Sequence, residues 1–499
     1  MDTPRKSWIA RHPYLTGSGI IIALILCLLV SQVILAVTAK PGVGGLFAVQ
    51  IQGISENAQK DLAEPDLWKS AVEVAERIRV AERAAWDGVG IPSPNGGLAE
   101  RPADWPENLA WPPESAAVGT DQTHTRVEEF YRSFLSSLRD GGVLKELHGL
   151  TELRRAVRPI PPTRAIEIML PELGAFRNIS RLNHARMMFA VQDGDLDEFA
   201  SAFEDSLAVA RIAGLQPILI SHLVGVAITA HVHQDLQYLI ADGALDVATL
   251  GRIEAAMERQ DRMLSMEQVL DAERFMQLDT VEWTHSQSGR PILQEIMQLS
   301  SSAGGGMQGS NFGGVMNVVG LGMPSKSQVV EVIDHLHDLI VQDARKPAHL
   351  RPAVLAADVY LGSLSPRHVL VKLLWPAMSK ALMVESRIAN DKAATRVMIA
   401  LERFRRARGV YPAALAELVP EFLAELPRDE FDPGGFRYVL KKAEASAAAD
   451  GYVLYSIGDD RVDNGGTNTK PELRKVGGPD NDLIYSMRRH FKPRDPAEK

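Results

Sequence analysis

LDEFASAFEDSLAVA, residues 196–210, sets Leu196, Phe199, Phe203, Leu207 and Ala210 at steps of three and four. Side chains so spaced line one face of an α-helix. A helix with the same period precedes it, carrying Ile179, Leu182 and Phe189, and Asp193-Gly194-Asp195 between the two predicts the turn of an antiparallel hairpin. Helical texture with Gly-Asp and Pro punctuation continues outward from about Arg126 to Arg408. The expected class is mainly α: an N-terminal transmembrane helix, an irregular helical body and a small C-terminal α+β domain with an antiparallel sheet.

The 193–195 hairpin resembles a tetratricopeptide-type unit, but no repeat of roughly 34 residues accompanies it, so an irregular bundle is expected. A second apolar run, Leu215 to Val232, contains Pro217, His222 and His231. Polar groups in hydrocarbon are expensive, so this run reads as a helix buried in a protein core. A further helix is expected from about Pro65 to Trp86, ended by Asp87-Gly88. Six prolines between Gly90 and Gly119 exclude regular structure there. AGGGMQGSNFGGVMNVVGLGM, ending at Met323, reads as a mobile Gly/Met-rich loop within 300–325, and no nucleotide cradle, because no Gly-Lys-Ser/Thr follows.

Near the start, Ile20 to Val37 reads IIIALILCLLVSQVILAV, uncharged and close to the roughly 20 residues that cross a bilayer as a helix. Arg5, Lys6 and Arg11 precede it and only Lys40 follows closely, so the N-terminus is expected in the cytoplasm and the body outside it. Val37-Thr38-Ala39 would also fit a signal-peptidase site, with the body on the same side. The expected organisation is a basic tail over 1–16, an anchor over 17–39, a helix plus Pro-rich linker over 40–120, a helical domain over 121–390 and an α+β unit over 391–499.

The 499 residues are 45% hydrophobic and 23% charged, an ordinary globular balance at a length expected to hold two or three folded units. A net charge of -9 argues against nucleic acid. The single cysteine, Cys27, lies in the apolar run, which excludes disulfides, thiolate metal sites and a cysteine nucleophile from the body. No Gly-x-Ser-x-Gly elbow occurs. Adjacent carboxylates such as Glu128-Glu129 and Asp459-Asp460 point apart on helix or strand and read as solvated faces.

Two clusters hold possible metal ligands: His231-Val232-His233-Gln234-Asp235 and Asp334-His335-Leu336-His337-Asp338. Imidazole and carboxylate suit zinc or iron. On a helix, however, i and i+2 face different sides, so each His-x-His is poorly placed to hold one ion. The pairs at the favourable i,i+4 spacing are His231 with Asp235 and Asp334 with Asp338.

Towards the C-terminus Val397, Met398, Leu401 and Phe404 make one face of a helix stopping at Arg408-Gly409, a basic last turn followed by a cap glycine. FRYVL and GYVLYSIG follow as strands. RARGVYPAALAELVPEFLAELPRDEFD, then GYVLYSIGDDRVDNGG, then PDNDLIYS resemble the C-terminal head of the major pseudopilin of type II secretion systems, over about the last fifth of the chain. The resemblance implies a bacterial exported protein and a calcium site in the loop after the strands, which would fall on Asp460, Asp463, Asp480 and Asp482. Hard oxygen ligands of that kind suit calcium. Two features depart from the family: no Phe-Thr-Leu-x-Glu pattern follows Gly17 or Gly19, and some 350 residues separate anchor from head.

The leading functional expectation is therefore a non-enzymatic, membrane-anchored extracytoplasmic (periplasmic) scaffold that binds a protein partner in the cell envelope. The alternatives are an exported metal-dependent hydrolase using His231, His233, His335 and His337, and an accessory subunit of a type II secretion-like system.

Overall fold

A computed structural model of the chain describes residues 44–88, 122–302, 322–375, 378–441, 451–466 and 482–486. The proposed anchor, the Pro-rich segment, most of the 300–325 loop and Asp480 lie outside these residues.

The hairpin forms where the period places it. Helix α5 (Glu172–Asp193) ends on Gly194, whose φ of 76° is the left-handed region that glycine enters without steric cost. Asp195 then caps α6 (Leu196–Gly214) by accepting the Glu198 N–H at 3.0 Å, worth about 1 kcal/mol. The next helix, α7 (Leu219–Ala241), returns along α6. At their crossing a Cβ on Gly225 would lie 2.5 Å from the Ala210 carbonyl oxygen and 2.9 Å from the Gly214 Cα, so the two backbones meet directly and only glycine fits. Helix α8 (Val247–Gln260), capped by Asp246, lies on the other side of α6.

Preceding these, α1 (Ala48–Ala58), α2 (Trp68–Gly88), α3 (Gln122–Asp140) and α4 (Val143–Gly149) lead into the hairpin, with α2 packed on α5. Helix α2 begins three residues after Pro65, where Asp66 Oδ1 accepts the Trp68 N–H at 2.8 Å. The apolar 215–232 run divides: residues 215–218, with Pro217, make a turn, and the rest enters α7, buried on nearly every side. Among the described residues no helix is long and apolar enough to cross a membrane.

A second layer contains α9 (Met266–Thr284) and α11 (Lys326–Ala344), packed together, with α10 (Leu293–Ser302), α12 (Ala356–Ser363) and α13 (Val369–Leu374) around them. Capping boxes start α9 and α11, at Ser265/Gln268 and Ser325/Gln328. The 31-residue α14 (Met378–Arg408), about 46 Å long at 1.5 Å per residue, joins the layers. Its first turns put Met378, Ala381 and Leu382 into the core of the α9/α11 layer, and its later turns put Val397, Met398, Leu401 and Phe404 into the hairpin core. It stops at Arg408, before Gly409 at φ +81°. Residues 390 and 391 both lie within it.

The C-terminal sheet is small and antiparallel: β1 (Arg437–Lys441), β2 (Gly451–Ser456) and β3 (Leu483–Ile484), in that order, with Arg437 opposite Tyr455 and Tyr455 opposite Ile484. Phe431, Phe436, Leu454, Leu483 and Tyr485 belong to the same buried cluster as the hairpin. Asn390 of α14 stitches the junction, donating to the Tyr485 hydroxyl at 3.1 Å and accepting the Glu430 N–H at 2.9 Å.

Candidate metal centre

Helix α5 is enclosed by α2 on one side and by α6 and α7 on the other, so polar residues on it must find partners inside the protein. His184 does so across 51 residues of sequence: its Nδ1 lies 2.5 Å from Asp235 Oδ2 on α7. One turn earlier on α7, the His231 ring lies 4.8 Å from the His184 ring, centroid to centroid, at an interplanar angle of 36°. Donor atoms of His184, His231 and Asp235 all fall within 4.8 Å of one another, the one such group of three among the described residues. His184 and Asp235 are 8% and 4% exposed, and only His231 reaches further towards solvent.

Two imidazoles and a carboxylate are a ligand set that zinc and iron accept. The i,i+4 pair His231/Asp235 supplies two of them from one helical face, as its spacing implies. His184 completes the set and carries no comparable signal. In the sequence it is a lone histidine beside Leu182 on a hairpin face, and only the packing of α5 on α7 brings it to the pair.

The remaining histidines go elsewhere. His233, two residues from His231, points to the opposite side of α7, where Nδ1 meets the Thr395 hydroxyl at 3.0 Å. Complete burial pushes its pKa down to about 3, so it is neutral. On α11, His337 Nε2 lies 2.9 Å from Asp271 on α9, while the His335 ring packs edge-on against Tyr360 at 4.5 Å. Asp334 pairs with Arg274 at 2.7 Å. The four histidines of the hydrolase expectation thus do not converge: of them, only His231 joins the three-residue group.

The C-terminal aspartates organise their own loop. Asp460 Oδ1 accepts the Val462 N–H at 3.0 Å, and Asp463 Oδ1 accepts the Gly465 N–H at 2.9 Å and the Tyr455 hydroxyl at 3.0 Å. Asp482, reaching back across the loop, accepts the N–H groups of Asn464 at 3.1 Å and Gly466 at 2.7 Å. Burial raises the Asp482 pKa, with the charges of Asp463 and Asp460 adding to it against those hydrogen bonds. These three carboxylates therefore share one loop. Asp459 turns away to Arg387 at 2.7 Å. The 403–408 arginines are also engaged within the chain, Arg403 with Glu254, Arg405 and Arg406 with Glu402, and Arg408 with Glu421.

One titratable group stands outside both sites. Burial pushes the carboxyl of Glu273 on α9 up to about 7 from an ordinary 4.5. A carboxyl whose folded pKa is raised contributes stability that is complete below about 4.5 and is lost as pH rises through 7. Glu273→Gln removes that penalty, and urea denaturation should show the variant more stable than the parent at pH 8 by about 1–3 kcal/mol, with the difference shrinking as pH falls and gone by about pH 4. Equal stability of the two at pH 8 would refute the assignment.

No protein family, curated protein or solved structure matches the chain.

Proposed function

We propose that the chain is a non-enzymatic, membrane-tethered scaffold of the bacterial envelope whose helical body is clamped by a transition-metal ion at His184, His231 and Asp235. The enclosure of the triad carries the metal reading: with His184 and Asp235 almost fully buried, an ion there ties α5 to α7 but is not offered to a substrate. Tethering and export rest on the uncharged 20–37 run and its basic flank. The likeness of 406–486 to a pseudopilin head supports an envelope role with a protein partner, and the helix-plus-sheet form of that region agrees with it. Calcium at Asp460, Asp463, Asp480 and Asp482 is proposed on the same likeness.

Metal analysis of the full-length protein purified in detergent tests the clamp. The expected result is about one equivalent of zinc or iron, lost in His184→Ala and in His231→Ala, but retained in His335→Ala and His337→Ala. Restoring the ion at a hundredfold excess over its Kd should stabilise the fold by about 2.7 kcal/mol, read as a rise in Tm. Absence of a stoichiometric ion, or an ion indifferent to His184 and His231, defeats the reading.

A metal-dependent hydrolase is the second reading, favoured by the partial exposure of His231, which would give water access to the ion. Hydrolysis of a model ester that tracks metal loading and disappears in His231→Ala would favour it over the scaffold.

A further inference from the structure

We propose that the body lies against the lipid surface, seated through an apolar face formed by α1 and the 160–171 loop; the inference rests on the 20–37 run being the membrane anchor. The loop reads IPPTRAIEIMLP and carries only two charged residues, Arg164 and Glu167. Arg164 is turned inward, its guanidinium 4.7 Å from the Trp283 ring and 3.5 Å from Glu295. Glu167 and Thr163 are exposed, and the other outward side chains are apolar: Ile166 is 47% exposed and Met169 78%, with Pro161, Pro162 and Pro171 exposed beside them.

Leu46, in the turn that leads into α1, adds 53% exposure, and Val49 on α1 adds 80%. The two segments form one surface, because Phe47 and Ala48 on one side and Ile168 and Leu170 on the other pack against the same small core of Ile51, Ile160 and Ile218. A single carboxylate locks them together. Asp279 Oδ1 accepts the N–H groups of Gly45 at 2.5 Å and Leu46 at 3.1 Å, and Oδ2 accepts the Ala165 N–H at 2.8 Å. Gly45, at φ +80°, has no room for a side chain, since a Cβ would lie 2.7 Å from the Pro162 carbonyl. Single exposed apolar residues are ordinary on protein surfaces, whereas a contiguous set marks a contact surface.

The occupant follows from where the chain comes from. Val37 ends the apolar run seven residues before Gly44, and that much chain reaches at most about 25 Å. Gly44 opens the segment that Asp279 fixes to the loop. The apolar face therefore cannot stray further from the bilayer than the width of a small domain, and burying it among headgroups removes it from water at no further cost in tether entropy.

The single cysteine makes the test direct. In a Cys27→Ser background, nitroxide labels are placed on the full-length chain in lipid vesicles at Val49→Cys, Met169→Cys and, as a control on the sheet, Val439→Cys, itself 48% exposed. Labels at 49 and 169 are expected to collide several-fold more often with dissolved oxygen, relative to a water-soluble nickel chelate, than the label at 439. Equal aqueous behaviour at all three, with the protein still held in the vesicles through an alkaline wash, overturns the docking and leaves the anchor standing. Shielding of 49 and 169 from both probes would mean a protein occupant and also overturns it. Release of the protein by the alkaline wash removes the anchor itself, and the docking with it.

Discussion

Replacing Arg211 by alanine is expected to destabilise the fold by about 3–5 kcal/mol in urea denaturation at pH 7. The guanidinium is fully buried on α6, and among the described residues no carboxylate pairs with it. Its Nε donates to Gln260 Oε1 at 2.7 Å, and its terminal nitrogens donate to the carbonyls of Leu150 at 3.0 Å, Glu152 at 3.1 Å and Arg154 at 3.3 Å. It closes the chain segment that follows α4 onto the hairpin. Burial, and to a lesser degree the charge of Arg262, lowers its pKa to about 10, so it is still protonated at neutral pH. Truncation takes their Arg211 donor from the Leu150 and Arg154 carbonyls and from the Gln260 amide, each loss costing about 1–3 kcal/mol if water does not reach the group, while the Glu152 carbonyl keeps the Arg154 N–H at 2.9 Å. Arg211→Met separates packing from hydrogen bonding: it should be nearly as damaging as alanine, and a methionine variant as stable as the parent would show that the carbonyl contacts contribute little.

Asp205→Ala should cost about 3 kcal/mol for the opposite reason: it takes from the buried Arg186 one of its two carboxylate partners, leaving Glu198 at 3.0 Å from Nε. Asp205 is fully buried, 2.7 Å from Arg186 Nη1 and 2.7 Å from His148 Nδ1. Its hydrogen bond is the largest influence on His148, raising the histidine pKa above its ordinary 6.5 against a smaller opposing effect of burial. A raised histidine pKa contributes stability that is complete below about 6.5 and lost as pH rises through the folded value. The parent should therefore show this component declining just above neutrality, and Asp205→Ala should lose it. Nuclear magnetic resonance titration of His148 provides the check. An unmoved His148 pKa in Asp205→Ala would assign the shift to other groups.

The parts of the fold that could be read from the chain are those determined within a few residues. The Asp193-Gly194-Asp195 turn needs one left-handed residue and one cap, and both are in the letters. The stop at Arg408-Gly409 and the two principal strands are local in the same way. Helix α7 was legible only as an apolar run, because a helix covered on nearly all sides loses the one-faced period that marks an amphipathic helix. The helical reading of the His-x-His clusters also held at residue level, since His231 and His233 do face opposite sides of α7.

The ligand set was out of reach from sequence, as was the identity of the buried charges. Nothing near His184 distinguishes it from a core histidine, because its partner lies 51 positions away and meets it only when α5 and α7 pack on α6. Arg211, in AVARIAG, reads as an unremarkable helical arginine until α6 is enclosed. Periodicity, turn chemistry and the uncharged 20–37 run are properties of neighbouring residues, so the chain alone specified a mainly helical protein with a small sheet and a candidate anchor. Which imidazoles meet, which charges are buried and which apolar face stays bare depend on how helices pack across long separations, and tertiary structure alone decides that.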